Sequence, residues 1–492
     1  MNPILSGFYP DPSICRANDT FYMVTSTFEY FPSVPIFKSK NLINWEQIGH
    51  CISNENYVKL TNSKISGGIF APTIRYHNEI FYMITTDVSG IGNFFVTATN
   101  PAGPWSEPIR VDFKGIDPSL YFEGEDVYCN TTGIDKNGNR GIQMAKIDIK
   151  TGQCLEEKHF LWTGTGGIYP EGAHIYKHGN KYYLLVAEGG TSMGHMETIA
   201  YADNIYGPYE SNPANPILTH RNVESNIQGT GHMDIVEAAD GKFFAVFLAF
   251  RLTESYFHHL GRETFVAPVT WKKNEFPIIN DNKPITTEID ISQFPAIPTI
   301  VNKSFIDTFS TSQLDFKYNF LRKPSSVKYE INNGLILYGN NISINEISTP
   351  AFIGFRQTEF NVEIFFHIKA EMQLDDFCGV TVFYNSTRHF DLCISKKSIW
   401  LKKVFDDIKE VSFETNTTET NIVLYIKADE FKYYFGFGDT EQTAANNIVA
   451  TGLTRHVSTE VAKITYTGVY LGMFVEGSLE SKMTVTKIKY NA

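Results

Sequence analysis

Five stretches in the first half of the chain share one layout: an apolar strand, a short polar turn and a returning aromatic or aliphatic strand. They begin at Asp11 (DPSICRANDTFYM), Ala71 (APTIRYHNEIFYM), Asp117 (DPSLYFEGEDVYC), Glu171 (EGAHIYKHGNKYYLL) and His232 (HMDIVEAADGKFFAVF). From Ile14, Ile74, Leu120 and Ile175, seven residues lead to Phe21, Phe81, Val127 and Tyr182, and eight lead from Ile235 to Phe243. The turns carry Asn18-Asp19, His77-Asn78, Gly124, Gly179-Asn180 and Asp240-Gly241, which is hairpin chemistry. Successive starts lie 60, 46, 54 and 61 residues apart, enough chain for a four-stranded blade. Three of the repeats also end alike, at SKNLINW, ATNPAGPW and ADNIYGPY. The matched strand spacing predicts a five-bladed β-propeller rather than unrelated hairpins of a β-sandwich.

The repeats finish near Trp271. Residues 274–303 are rich in Pro, Ile and Asn and lack periodicity, so they read as a linker packed across the propeller. From Phe305 short alternating strands return (GLILYG, AFIGFRQ, NVEIFFHIKA, CGVTVFY, FDLCI, NIVLYIKA, KYYFGFG, ITYTGVYLGMFV) without helical spacing. The expected fold is all-β: a propeller with its trailing linker over 1–303 and a β-sandwich of jelly-roll type over 304–492.

Formal net charge is −12 without basic clusters, which argues against nucleic acid or an anionic membrane as partner. The start, MNPILSGFYPDPS, has no basic segment or long apolar run, and no later stretch reaches membrane-spanning length. The six cysteines are scattered and lack CxxC spacing. These features predict a cytoplasmic chain with free thiols and no zinc site.

In a propeller, the matching ends of the inner strands converge on one pocket. Here those ends are Asp11, Ala71, Asp117, Glu171 and His232, three of them carboxylates. Strand ends seldom gather acids, because burying like charges together is unfavourable. Pro10 and Pro12 stiffen the backbone around Asp11. Paired carboxyls on opposite blades suit hydrolysis of a glycosidic bond, in which one acid protonates the leaving oxygen and one carboxylate acts at the anomeric side. A third carboxylate, Asp117, would keep Glu171 protonated by like-charge repulsion or orient it. Arg262, in GRET, would hold sugar hydroxyls or pair with Glu263 or another acid. His232 would touch a central water, a metal ion or the sugar, or pack as a structural histidine. Phe31 and Phe70 would stack on a sugar face, and His195 is a weaker candidate. Phosphate loops and HExxH are absent from the sequence.

At these residues the chain resembles the β-xylosidases of glycoside hydrolase family 43. The motifs are NPILSGFYPDPSI, STFEYFPSVPIF, GGIFAPTIRY, IDPSLYF, PEGAHIYK, AEGGTSMGH, GHMDIVE and LGRETFVAPVTW, spread over the first domain. The resemblance implies a five-bladed propeller followed by a concanavalin-like sandwich. It implies that Asp11 is the general base, Asp117 the pKa modulator and Glu171 the general acid, with Arg262 and His232 as substrate-binding and axial residues. It also implies inversion of configuration. No cofactor is required, although some members hold a calcium ion near the axis. One departure is GGIFAP where the family is expected to have GGIWAP, so Phe70 keeps a stacking face but lacks an indole N–H.

The expected activity is release of xylose from β-1,4-xylo-oligosaccharides. The alternatives are α-L-arabinofuranosidase action on the same scaffold and a non-catalytic carbohydrate-binding protein, against which the three carboxylates count. A fructan-cleaving propeller would carry NDPNG and RDP motifs, which this sequence lacks. Homo-oligomer formation is left open.

Overall fold

The computed structural model describes residues 2–296, 299, 302–322, 324–462 and 465–492. The first half builds five antiparallel sheets, each with a core of four strands. Their inner strands are Ser13–Ala17, Thr73–His77, Ser119–Glu123, Glu171–His178 and Ile227–Glu237. Each inner strand pairs with the next strand through the turn read from the sequence, for example Ala17 opposite Thr20 and His77 opposite Ile80. Asn18 and Asn78 adopt positive φ at these turns, as their side chains permit.

Strand alternation explains how the blades stack. In Ile80–Asp87, Met83 packs toward the first blade while Tyr82 and Ile84 pack toward the third. The same division gives an apolar layer between each pair of neighbouring blades, five layers around the ring. The N-terminal residues close the ring. Leu5 bridges Thr264, and the Asn2 side chain exchanges two 3.0 Å hydrogen bonds with the backbone of Val266 in the fifth blade.

A buried polar knot ties all five inner strands beneath the pocket. Asp234 of the fifth blade accepts from Ser13 Oγ at 2.6 Å, Tyr176 OH at 2.6 Å and Arg75 Nη1 at 2.8 Å. Arg75 Nη2 lies 2.9 Å from His174 Nδ1, and Ser119 Oγ lies 3.1 Å from the same nitrogen. Each blade contributes a side chain, so the knot fixes the relative height of the strand ends that form the site.

The fifth blade runs past Trp271. Its outer strand, Ile278–Ile279, pairs with Val269 and Thr270. The start of the expected linker is therefore blade. The rest covers the propeller: Ile285 N donates to His220 Nε2 at 2.8 Å and Phe294 packs on Phe244. Residues 297, 298, 300 and 301 of that linker lie outside the described residues.

The second half is a sandwich of two sheets around one apolar core, one of eight strands and one of seven that a strand of the first half completes to eight. Strands Ser398–Phe405, Ile408–Asn416, Ile448–Leu453 and Lys482–Asn491 add to those read from the sequence. One short helix, Glu441–Asn446, carries a capping box on Thr440. The two domains interlock. Tyr30–Phe31, from the first blade's segment, joins a sandwich sheet as its edge strand, with Phe31 opposite Phe320. Tyr30 stacks on Tyr470 at 3.9 Å, and Arg356 of the sandwich donates to Phe8 O at 2.6 Å.

Candidate active site

The starts of all five repeats, Asp11, Ala71, Asp117, Glu171 and His232, line one pocket of about 330 Å³. Asp11, Asp117 and His232 each have positive φ, at 54°, 53° and 53°. Non-glycine residues seldom hold that conformation, and it clusters at functional sites. It breaks the inner strands' alternation where they meet the pocket. The pairing of Glu171–His178 and of Ile227–Glu237 with their neighbours also shifts register there. Gly172 allows the closest approach, since a Cβ on it would lie 2.9 Å from the His232 ring.

Asp11 is buried and held from several sides. Arg262 Nη1 donates to its Oδ1 at 2.8 Å, Ser26 Oγ donates to its Oδ2, and His232 Nδ1 stands 3.9 Å from Oδ1. Burial favours the neutral acid, but Arg262, His232 and Ser26 together bring its pKa below the ordinary carboxylate value. Glu171 behaves in the opposite way: burial and the Asp11 charge push it up to about 7. Asp117 is also raised, by burial and then by Glu171 and Asp11. Burial depresses the pKa of His232, and the neighbouring Asp11 charge works against that shift.

The walls are aromatic. Phe70 lines the pocket beside Phe28, ring centroids 5.3 Å apart. Tyr466 arrives from the sandwich, 5.7 Å from Phe28, with its carbonyl 3.3 Å from Arg262 Nη2. This reach depends on Gly468, where a Cβ would lie 2.1 Å from Leu260 O. Thr191, in the EGGTSMGH segment, accepts from Arg262 at 3.2 Å.

Phe31 does not reach the pocket. It is 4% exposed and packs in the apolar layer between the first two blades, because its backbone pairs with the sandwich. Phe28, three residues earlier, takes the wall instead. Arg262 pairs with Asp11, while Glu263 is held by Arg251. His195 is buried behind the wall, Nδ1 3.0 Å from Gly229 O, and burial lowers its pKa to about 4.

Among the described residues, one histidine and carboxylate group has ligand atoms close enough for a metal ion: Asp117, Glu171 and His232, within 4.8 Å of one another. Calcium takes six to eight oxygen ligands. Two carboxyls driven toward their neutral forms and one imidazole do not match that set. Deeper between the inner strands, the positive charge is already supplied by Arg75 against Asp234.

Residues 1–277 match the profile of glycosyl hydrolases family 43, and residues 306–490 that of the β-xylosidase C-terminal concanavalin A-like domain. A non-reducing-end α-L-arabinofuranosidase of Bacteroides ovatus is 36% identical over 97% of this chain and 91% of its own. A xylosidase/arabinosidase of Butyrivibrio fibrisolvens is 39% identical over 80% of each chain. The crystal structure of a xylan β-1,4-xylosidase from Bacillus halodurans C-125 superposes with TM-score 0.92 at 27% identity, covering 100% of this chain and 99% of that one.

Proposed function

Since the chain belongs to glycosyl hydrolases family 43, we propose that it is an inverting exo-glycosidase that releases xylose from β-1,4-xylo-oligosaccharides. In this reading Asp11 is the general base, Glu171 the general acid, and Asp117 the group that tunes and orients Glu171. The observation that carries it is the opposite displacement of two carboxyls in one pocket, Asp11 downward and Glu171 to about 7. Environments that push two acids apart assign one to each half of the proton traffic.

Asp11, ionised, takes a proton from a water as that water bonds to the anomeric carbon. Glu171, protonated, gives its proton to the glycosidic oxygen as the bond to that carbon breaks. The products are the freed sugar with inverted configuration and a shortened chain. Exchange with solvent then restores both carboxyls. Arg262 keeps Asp11 ionised before the reaction and would donate to sugar hydroxyls. A volume of about 330 Å³, at the small end for ligand sites, with Phe28, Phe70 and Tyr466 around it, suits one terminal sugar.

A second reading, α-L-arabinofuranosidase, draws support from the names of the Bacteroides and Butyrivibrio relatives. A panel of nitrophenyl glycosides separates the two by which sugar is released. Proton NMR of the first minutes on a β-xyloside tests inversion: α-xylose is expected first. Initial β-xylose would make one of the two acids a nucleophile and overturn the base assignment.

A further inference from the structure

Glu171 stands on the divide between two cavities. On one side is the pocket that holds Asp11. On the other is an open groove of about 450 Å³ lined by Lys114, Gly115, Thr132, Ile134 and Gln143. Ile116, Arg140, Tyr169 and Glu171 border both. Past Arg140 and Tyr169 the groove continues into a hollow of about 600 Å³. The departing chain hangs on the oxygen that the acid protonates and so leaves beside that acid, and the groove is the open space next to Glu171 outside the Asp11 pocket.

The groove carries a platform. Tyr169 is 51% exposed yet held at φ 53°, an uncommon conformation for an aromatic residue. Its loop is anchored from below. The Glu188 carboxylate accepts from Thr165 N at 2.8 Å, Gly167 N at 2.7 Å and Thr198 Oγ1 at 2.6 Å, and Gly189 N donates to Ile168 O at 2.8 Å. Ile168 and Ile134 flank it, 63% and 65% exposed. Arg140, from the neighbouring blade, lies over the ring, its guanidinium carbon 5.5 Å from the centroid. Among the described residues the Arg140 side chain forms no ion pair or hydrogen bond, so its donors remain for a ligand.

We propose that Tyr169 and Arg140 form the binding ledge for the leaving chain. The first departing pyranose stacks on Tyr169, Arg140 donates to its hydroxyls, and the hollow beyond takes a further unit. The ligand class is a neutral oligosaccharide of two or more units beyond the cut bond. The inference rests on the hydrolase reading above and adds where specificity for chain length is set.

The test compares kcat/KM on xylotetraose with that on the xylosyl or arabinofuranosyl fluoride the wild type accepts, whose leaving group cannot touch the ledge. Tyr169→Asn keeps a residue suited to positive φ while removing the ring, and Arg140→Met removes the donors. For each, the ratio of oligosaccharide to fluoride kcat/KM is expected to fall about tenfold. Tyr169→Phe, which keeps the face, is expected to restore it. A parallel fall on both substrates means a structural role and overturns the ledge, as does an unchanged ratio. Wild-type turnover of the fluoride reports the hydrolase reading by itself. Its absence would overturn that reading and the ledge with it.

Discussion

Arg262 grips both oxygens of Asp11, Nη1 2.8 Å from Oδ1 and Nη2 3.4 Å from Oδ2, and the same guanidinium reaches the carbonyl of Tyr466 in the other domain. The ionisation of Asp11 thus depends on a residue of the fifth blade. Removing that cation, as in Arg262→Met, leaves burial to dominate, and the Asp11 pKa rises. A base works only when ionised, so the acidic limb of the pH profile of kcat/KM should move to higher pH. A limb that stays put while kcat/KM falls would assign Arg262 to substrate contact alone.

Asp11→Ala removes the proposed base and one buried charge. Turnover should fall by about 10²–10⁴, the scale of general base assistance. Thermal unfolding should show the fold retained, because the residue sits on the pocket rather than in an apolar layer. Turnover near the wild-type rate would reject the assignment.

Glu171 and Asp117 are acids raised together, so their last proton leaves in a step that belongs to the pair. With both acids ionised the pair would carry two like charges; Asp117→Asn removes one of them, so the remaining acid, Glu171, gives up its proton without that repulsion. The alkaline limb should therefore move to lower pH. An unchanged limb with reduced kcat would make Asp117 a group that orients and does not tune.

Asp234 is fully buried against Arg75, and despite its burial Arg75, His174, Ser13 and Tyr176 hold its pKa below the ordinary value. A depressed carboxylate contributes stability above its unfolded value of about 3.9, and that contribution is lost as the pH falls below it. Asp234→Asn leaves the Arg75 charge buried without its partner, which should lower stability by about 3–5 kcal/mol at neutral pH. Urea unfolding at pH 7 measures this, and the gap between variant and wild type should shrink in acid.

The ring of blades was legible because each hairpin is local: strand, turn and return lie within about twenty residues, and the turn residues announce the pairing. The convergence of Asp11, Asp117 and Glu171 on one pocket was legible for the same reason, since a residue's place at an inner-strand start follows from the repeat. Phe31 was misread because its neighbour in space, Phe320, lies in the other domain, and nothing in STFEYFP says which ring turns inward. The outer strand at Ile278 hid in a stretch whose prolines and asparagines read as linker. In Lys482–Asn491, lysines alternate with apolar residues and the buried face is thinly marked. Tyr169 and Arg140 carry no motif, and only the meeting of two blades pairs them.

The strand Tyr30–Phe31 has a consequence for how this protein divides. The family profiles part the chain between residues 277 and 306, yet one segment of the first half is woven into a sheet of the second. Release of the sandwich would bare the edge at Phe320, strip the stacked ring from Tyr30 and open the pocket wall at Tyr466. The unit of heredity and the unit of cooperativity therefore differ. In calorimetry the two halves should melt in one transition, and the pocket should be lost at the same temperature as the sandwich.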